Sequence, residues 1–306
     1  MRICVVGCGA VGSLFAANLA TLEDVDVWAF DLNKLHVDAI NRDGLQLVGA
    51  GEVQGHLRAT TDAGELPSCE LGIVATKAMH ADAAIAATAH AFADGAVASV
   101  MNGVGNEETL ARHVARVIRG TTFPAGKLLE PGHVQWDVKG DTTFGPYDER
   151  TPFDEVERLA EACTRAGMPA QAVEDARGPQ WRKVIFNAST NPIGALTGLT
   201  HGRVCDRPDL RALVTGLVDE GKAVAAAQGI ELDADPEELI DHAARPEVAY
   251  GHKASMLQDV EARRQTEVDY LNGGIVRFGE EHGVPTPLNA AIQALVKGVE
   301  ASWTQS

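Results

Sequence analysis

Three polar side chains spaced four residues apart, Lys183, Asn187 and Asn191, sit in a stretch that also holds Val184, Ile185 and Phe186. On a helix, successive members of such a series drift by only about 40° around the axis, so all three line one face over ~12 Å. A surface stripe normally carries more charge, and a core stripe is apolar. The residue types suit carbonyl reduction, in which the oxygen needs a proton while a hydride reaches the carbon. A lysine ammonium partly withdrawn from water is a suitable general acid, because burial lowers its pKa toward neutral pH. Asparagine amides can position ketone and hydroxyl oxygens without adding charge. Taken alone, the helix fits equally well an exposed lysine with two amides bonded to nearby backbone.

A second chemical signature opens the chain. Arg2 to Val6 is an apolar run that meets Gly7-Cys8-Gly9-Ala10-Val11-Gly12, followed by a helix-like stretch from Ser13 to Leu22. Val25 to Phe30 is the next strand-like run, and Asp31 stands at its end, 19 residues after Gly12. Gly7 allows a tight turn, Gly9 lets backbone approach a pyrophosphate, and Gly12 lets the helix pack close to the sheet with its N–H groups toward the phosphates. An acid at the position of Asp31 can accept hydrogen bonds from an adenosine ribose. Strand, helix, second strand and acid in register favour dinucleotide binding over an ordinary turn.

Two further clusters are open on the residues alone. Ser255-Met256-Leu257-Gln258-Asp259 precedes Thr266-Glu267-Val268-Asp269-Tyr270-Leu271-Asn272-Gly273. There, Thr266 is expected to cap a helix that starts at Glu267 and runs to His282. On periodicity alone the capped helix with solvated acids is the favoured reading of this cluster. Asn102-Gly103 ends a strand-like run, the sheet edge where α/β folds bind ligands, and it is equally a turn dipeptide.

The elements that must position these groups change character along the chain. Up to Ala176, apolar runs at Leu71–Val74 and Ala96–Val100 alternate with helical stretches such as His80–Phe92, the pattern of a parallel sheet covered by helices. Gly44 to Thr61 reads as a small pair of strands, Gly132 to Gly145 as a hairpin, Asp154 to Gly167 as a helix and Ala170 to Val173 as a last short strand. From Arg177 onward there are only helical periodicities, over about Gln180–Leu196, Asp209–Gln228, Glu237–Ala244, Thr266–His282 and Leu288–Trp303. The fold class is therefore α/β: a Rossmann-type parallel-sheet domain over 1–176 and an all-helical domain over 177–306.

The 306 residues are 45% hydrophobic, too apolar for a disordered chain. With 43 acids against 26 bases the formal net charge is −17, which argues against nucleic acid or an anionic membrane as partner. Five scattered cysteines, none in a CxxC pair, suit reduced structural thiols and a reducing cytoplasm, and no metal is expected. No signal-like segment precedes the first strand, and no run is long enough to span a membrane.

Together these residues resemble the ketopantoate reductase (2-dehydropantoate 2-reductase) family. The resemblance runs from the glycine turn through Thr76-Lys77-Ala78, Asn102-Gly103 and Lys183-x-x-x-Asn187-x-x-x-Asn191-Pro192 to the two clusters at 255–259 and 266–273, essentially the whole chain. It implies a small-molecule 2-keto acid substrate held between the two domains and reduced at C2 with NAD(P)H. It implies Lys183 as general acid and Glu267 as the residue holding the lysine or a substrate hydroxyl in place. Asn102, Asn187, Asn191 and Ser255 would contact substrate, with Asn102 also near the nicotinamide, and Lys77 would lie along the cofactor site.

Two positions depart from the family pattern. Members that use NADPH typically have an arginine where Asp31 stands, so NAD(H) is expected in preference to NADP(H). His201 replaces the usual asparagine that helps bind the substrate's polar end, which leaves another branched or aromatic 2-keto acid as an alternative substrate, as in the family's NAD-dependent D-2-hydroxyacid dehydrogenases. The 3-hydroxyacid dehydrogenases share a Lys-x-x-x-Asn helix but carry a Ser-Gly-Gly substrate loop that is absent here. A non-catalytic nucleotide sensor would need neither Lys183 nor Glu267. The expectation is a cytoplasmic enzyme that could form a homodimer.

Overall fold

The opening apolar run forms β1 (Arg2–Val6), whose alternating side chains enter two cores at once: Ile3 and Val5 on one face, Cys4 and Val6 on the other. A strand buried on both faces belongs in the middle of a parallel sheet. In the computed structural model, which describes residues 1–303, the chain divides into two compact units. The first comprises Met1–Met101 and Asn106–Ala176; the second comprises Asn102–Gly105 and the chain from Arg177 onward.

The first unit continues through α1 (Ala10–Leu19), β2 (Asp26–Phe30), α2 (Lys34–Asp43), β3 (Leu45–Gly49), β4 (Val53–Gly55), β5 (Arg58–Thr60) and β6 (Leu71–Val74). Then come α3 (Ala81–Thr88), β7 (Ala96–Ser99), α4 (Asn106–Leu110), β8 (Arg116–Thr122), β9 (Ala125–Glu130), β10 (His133–Val138), β11 (Thr142–Pro146), α5 (Phe153–Arg165) and β12 (Ala170–Ala172). Eight strands form one sheet in the order β12-β11-β8-β7-β6-β1-β2-β5, parallel except where β11 meets β8. The chain crosses from β1 to β2 on one side and later returns to β6 on the other. The glycine turn therefore leaves β1 at the point where strand order reverses, the place where such sheets take ligands.

Three expectations need correction here. Residues 132–145 are not a hairpin: β10 pairs antiparallel with β9 and parallel with β3 in a separate four-stranded sheet, whereas β11 joins the main sheet beside β8. Alternation of Val134, Trp136 and Val138 marks a strand but does not name its partner. Residues 44–61 give three strands, because β5 leaves the β3–β4 pair to join β2. The third concerns the segment after Thr266, in the second unit.

That second unit is helical throughout its described elements: α6 (Arg177–Thr197), α7 (His201–Cys205), α8 (Pro208–Ala227), α9 (Pro236–Ala243), α10 (Ser255–Glu261), α11 (Asn272–His282) and α12 (Pro287–Ser302). The long α6 runs through its core, with Trp181, Val184, Ile185 and Ala188 packed among Leu217, Val218, Met256 and Ile275. Residues 266–271 are a turn, not the first turns of a helix; α11 begins only at Asn272. Thr266 does not cap α11, which starts six residues later, and its N–H and hydroxyl both donate to Glu300. Among the described residues, no helix is long and apolar enough to cross a membrane.

Candidate active site

Lys183 leaves α6 two turns after its start and is only partly exposed. Its Nζ donates to Asn102 Oδ1 at 3.0 Å, and Asn102 Nδ2 donates to Glu267 Oε2 at 3.2 Å. The three side chains form one line, amine to amide to carboxylate, drawn from segments 81 and 165 residues apart in sequence. Burial lowers the Lys183 pKa from 10.5 to about 8, and the Glu267 charge pulls it back up. Such an amine is mostly protonated at neutral pH yet gives up its proton readily, as a general acid for a carbonyl oxygen must.

Asn102 reaches this line because its loop docks on the Glu267 turn. Val104 N–H donates to the Tyr270 carbonyl at 3.0 Å. Gly103 has φ +92°, and a Cβ there would lie 2.5 Å from that same carbonyl oxygen. Only glycine satisfies both the left-handed backbone and the close approach. The Asn-Gly pair is thus a turn that also carries Asn102 to Lys183 and Glu267.

Asn187 and Asn191 continue along α6 from Lys183, both buried. Helical spacing then brings Gly194, whose Cβ position is 3.9 Å from Ala254, next to Ser255 at the start of α10. Ser255 itself is exposed. His201 opens α7; its backbone N–H donates to the His252 carbonyl at 3.2 Å, which ties it to the segment leading to Ser255. Its ring lies 5.5 Å from Phe186 and bonds through Nε2 to the Ile240 carbonyl at 3.1 Å. Burial lowers its pKa, so the ring is neutral with Nε2–H as donor. The structure shows no bond between His201 and the lysine line.

The glycine turn in the first unit has the shape expected of a pyrophosphate cradle. Gly7 has φ +86° and packs on Thr76, where a Cβ would come within 2.5 Å of the side chain. A Cβ on Gly12 would lie 2.0 Å from the Gly7 carbonyl oxygen, so α1 packs directly on the turn. By contrast, a Cβ on Gly9 meets nothing within 4 Å. The turn is therefore open at Gly9, at the start of a helix whose first turn holds no acidic residue. That is a fit for a dinucleotide phosphate pair. Thr76 brings the loop carrying Lys77 beside the turn.

Asp31 holds this turn in place. Its Oδ2 accepts from Cys8 N–H and its Oδ1 from Asn33 N–H, both at 2.8 Å. Each carboxylate oxygen keeps lone-pair capacity for a hydroxyl. The Cys8 carbonyl is pinned too, by Ser13 Oγ at 2.9 Å, and Ser13 is within 3.4 Å of His36 Nε2. Gly132 N–H donates to His36 Nδ1 at 3.0 Å, which leaves Nε2 to carry the ring proton toward Ser13. Cys8 contributes backbone only: burial pushes its thiol up to about 12. Among the described residues, no group of three or more His, Cys, Asp and Glu side chains could hold a metal.

Residues 3–149 match the family described as ketopantoate reductase PanE/ApbA, and residues 175–300 match that family's C-terminal part. The chain belongs to the ketopantoate reductase family. Over 303 residues it is 35% identical to the 2-dehydropantoate 2-reductase of Pyrococcus horikoshii, covering 98% of each chain. The structure of a PanE/ApbA family ketopantoate reductase from Ralstonia eutropha superposes with a TM-score of 0.88 at 30% identity and 99% coverage of both chains. A ternary structure of D-mandelate dehydrogenase with NADH and anilino(oxo)acetate superposes with a TM-score of 0.90 at 28% identity, again over 99% of both. Ketopantoate reductases are NAD(P)H-dependent oxidoreductases acting on a CH–OH group, and the Rossmann-type unit with a helical partner is their architecture.

The supports behind the glycine turn come from far along the chain. Ser13 and His36 lie 23 residues apart, and His36 meets Gly132 across 96. No local spacing signals either contact.

Proposed function

We propose that this chain reduces 2-dehydropantoate to pantoate with NADH preferred over NADPH. The observation that supports it most directly is the Lys183–Asn102–Glu267 line, a protonatable amine fixed by an amide and a carboxylate in a family of carbonyl reductases. When bound, the nicotinamide supplies the hydride that C2 receives. Lys183 gives its proton to the carbonyl oxygen. Asn102 orients the ammonium through its Oδ1, and Glu267 keeps the amine charged against the cost of burial. Asn187, Asn191 and Ser255 contact the substrate's oxygens, and His201, neutral and fixed on Ile240, shapes the polar end without adding charge.

Cofactor preference rests on Asp31. A 2′-phosphate would face its carboxylate, and the cations that follow in sequence are already engaged: Lys34 with Asp38 at 2.8 Å and Arg42 with Asp43 at 2.6 Å. A second reading, an NAD-dependent dehydrogenase of another branched or aromatic 2-hydroxy acid, draws on the D-mandelate dehydrogenase likeness and on His201. Turnover of a panel of 2-keto acids with NADH and NADPH side by side separates the two. The proposal expects the highest kcat/KM on ketopantoate with NADH. A higher value on an aromatic 2-keto acid favours the second reading, and no turnover of any 2-keto acid contradicts both.

A further inference from the structure

One face of α12 grips the turn that carries Glu267 on both shoulders. Gln293, Lys297 and Glu300 are spaced i, i+4 and i+7, so they form a single stripe on that helix. Thr266, just before Glu267, donates its backbone N–H and its hydroxyl to Glu300 Oε1 at 2.8 and 2.7 Å. Asp269, two residues after Glu267, accepts from Gln293 Nε2 at 2.9 Å and from Lys297 Nζ at 2.7 Å. Lys297 also lies 3.4 Å from Glu300 Oε2, so the stripe is internally paired.

Between these anchors the Glu267 carbonyl accepts the Tyr270 and Leu271 N–H groups at 3.0 and 3.1 Å, and Val268 and Leu271 are buried in the core. The segment closes a single turn and does not continue as a helix before Asn272, and in it Thr266 Oγ1 accepts Val268 N–H at a long 3.4 Å. Thr266 and Glu267 are nevertheless 2% and 6% exposed, so the Glu267 carboxylate is held in a buried place by a short irregular segment. Its hold on Asn102 depends on where that segment sits.

We propose that Gln293, Lys297 and Glu300 are positioning residues, which set the Glu267 carboxylate against Asn102 and through it hold Lys183 in its proton-donating place. The proposal rests on the assignment of Lys183 and Glu267 to proton transfer made above. Loosening the turn lets Glu267 move away from Asn102. Burial of Lys183 is then less opposed, and the amine loses its proton at lower pH. The charged groups facing Glu267's turn from α12 are Lys297 and Glu300, and Asp269 faces them from the turn itself.

The test is kcat for ketopantoate reduction at saturating NADH across pH, in wild type, Glu300→Ala, Glu300→Gln, Lys297→Met and Glu267→Gln. Glu300→Ala is expected to lower kcat on the order of tenfold, since small misplacements of catalytic groups are costly. It also moves the alkaline limb to lower pH and leaves the KM for NADH within about twofold. Glu300→Gln keeps an oxygen for both Thr266 donors and restores most of the rate. Half-exposed Lys297→Met shifts the limb the same way by less. A wild-type profile in Glu300→Ala beside an impaired Glu267→Gln overturns the proposal and leaves the proton-transfer assignment standing. An unimpaired Glu267→Gln overturns both. Should Glu300→Ala fail to fold, an unmoved profile in Lys297→Met overturns the proposal instead.

Discussion

At Lys183, burial and charge pull in opposite directions, and burial wins. The folded-state pKa of about 8 lies below the ordinary 10.5. Between those values the unfolded chain holds a proton that the folded chain has released, so stability rises with pH through that window. The cost of the buried ammonium is fully present below pH 8. Lys183→Met, which keeps the bulk and removes the charge, should therefore stabilise the fold by on the order of 2 kcal/mol at pH 7. Urea unfolding should show that gain shrinking toward zero by about pH 10.5; no gain at pH 7 would contradict a desolvated amine. Asp31 makes the other residue-scale claim. Asp31→Arg should move cofactor preference toward NADPH by on the order of a hundredfold in the kcat/KM ratio. It should also weaken NADH use, because the same carboxylate holds Cys8 N–H in the glycine turn. Steady-state rates with both cofactors check it, and an unchanged ratio would place the ribose away from this residue. Residue type and spacing singled out Asp31 and left Lys183 and Asn102 as even readings, while Glu267 stood out only through the family resemblance. Their partners were not legible, because Asn102 meets Lys183 across 81 residues.

Among elements, α6 carries a contradiction that the structure resolves. Pro192 lies inside this helix and has no N–H for the carbonyl of Ala188, four residues earlier. Asn272, the first residue of α11, supplies the missing donor: its Nδ2 reaches the Ala188 oxygen at 2.9 Å. The same amide bonds Asn289 at 3.0 Å, and Asn289 in turn donates to Glu220 at 2.7 Å. Asn272 is fully buried, so Asn272→Leu would strand a buried carbonyl and destabilise the protein by about 1–3 kcal/mol. Thermal or urea unfolding measures this, and a neutral result would mean that α6 needs no repair at Pro192. Asn272 stood in plain view next to Glu267 in the sequence, but its job depends on a proline 80 residues earlier. The misread elements share one cause. Alternation at Val134 and Trp136 identified β10, yet its partner β3 lies 87 residues back at the His133–Gln46 pair. A threonine before acids looks like a helix cap at Thr266, and only the distant Glu300 turns it into an anchor.

For the molecule as a whole, the split between alternating strands and helices and an all-helical remainder was legible, because parallel βα units and helical periodicity leave different patterns. The excursion of Asn102–Gly105 into the second unit was not, since a four-residue loop has no period of its own. That excursion joins Asn102 to Lys183 and Glu267, so this line of side chains is assembled by topology more than by any one motif. In the proposed reaction this assembly gives the proton to a 2-keto acid's carbonyl oxygen. Its most direct test compares wild type and Lys183→Ala for kcat on ketopantoate at saturating NADH, with NADH affinity measured by fluorescence titration on the same preparations. Loss of the proton donor should lower kcat by about 10² to 10⁴ with NADH affinity unchanged. A variant that keeps near-wild-type kcat would contradict it.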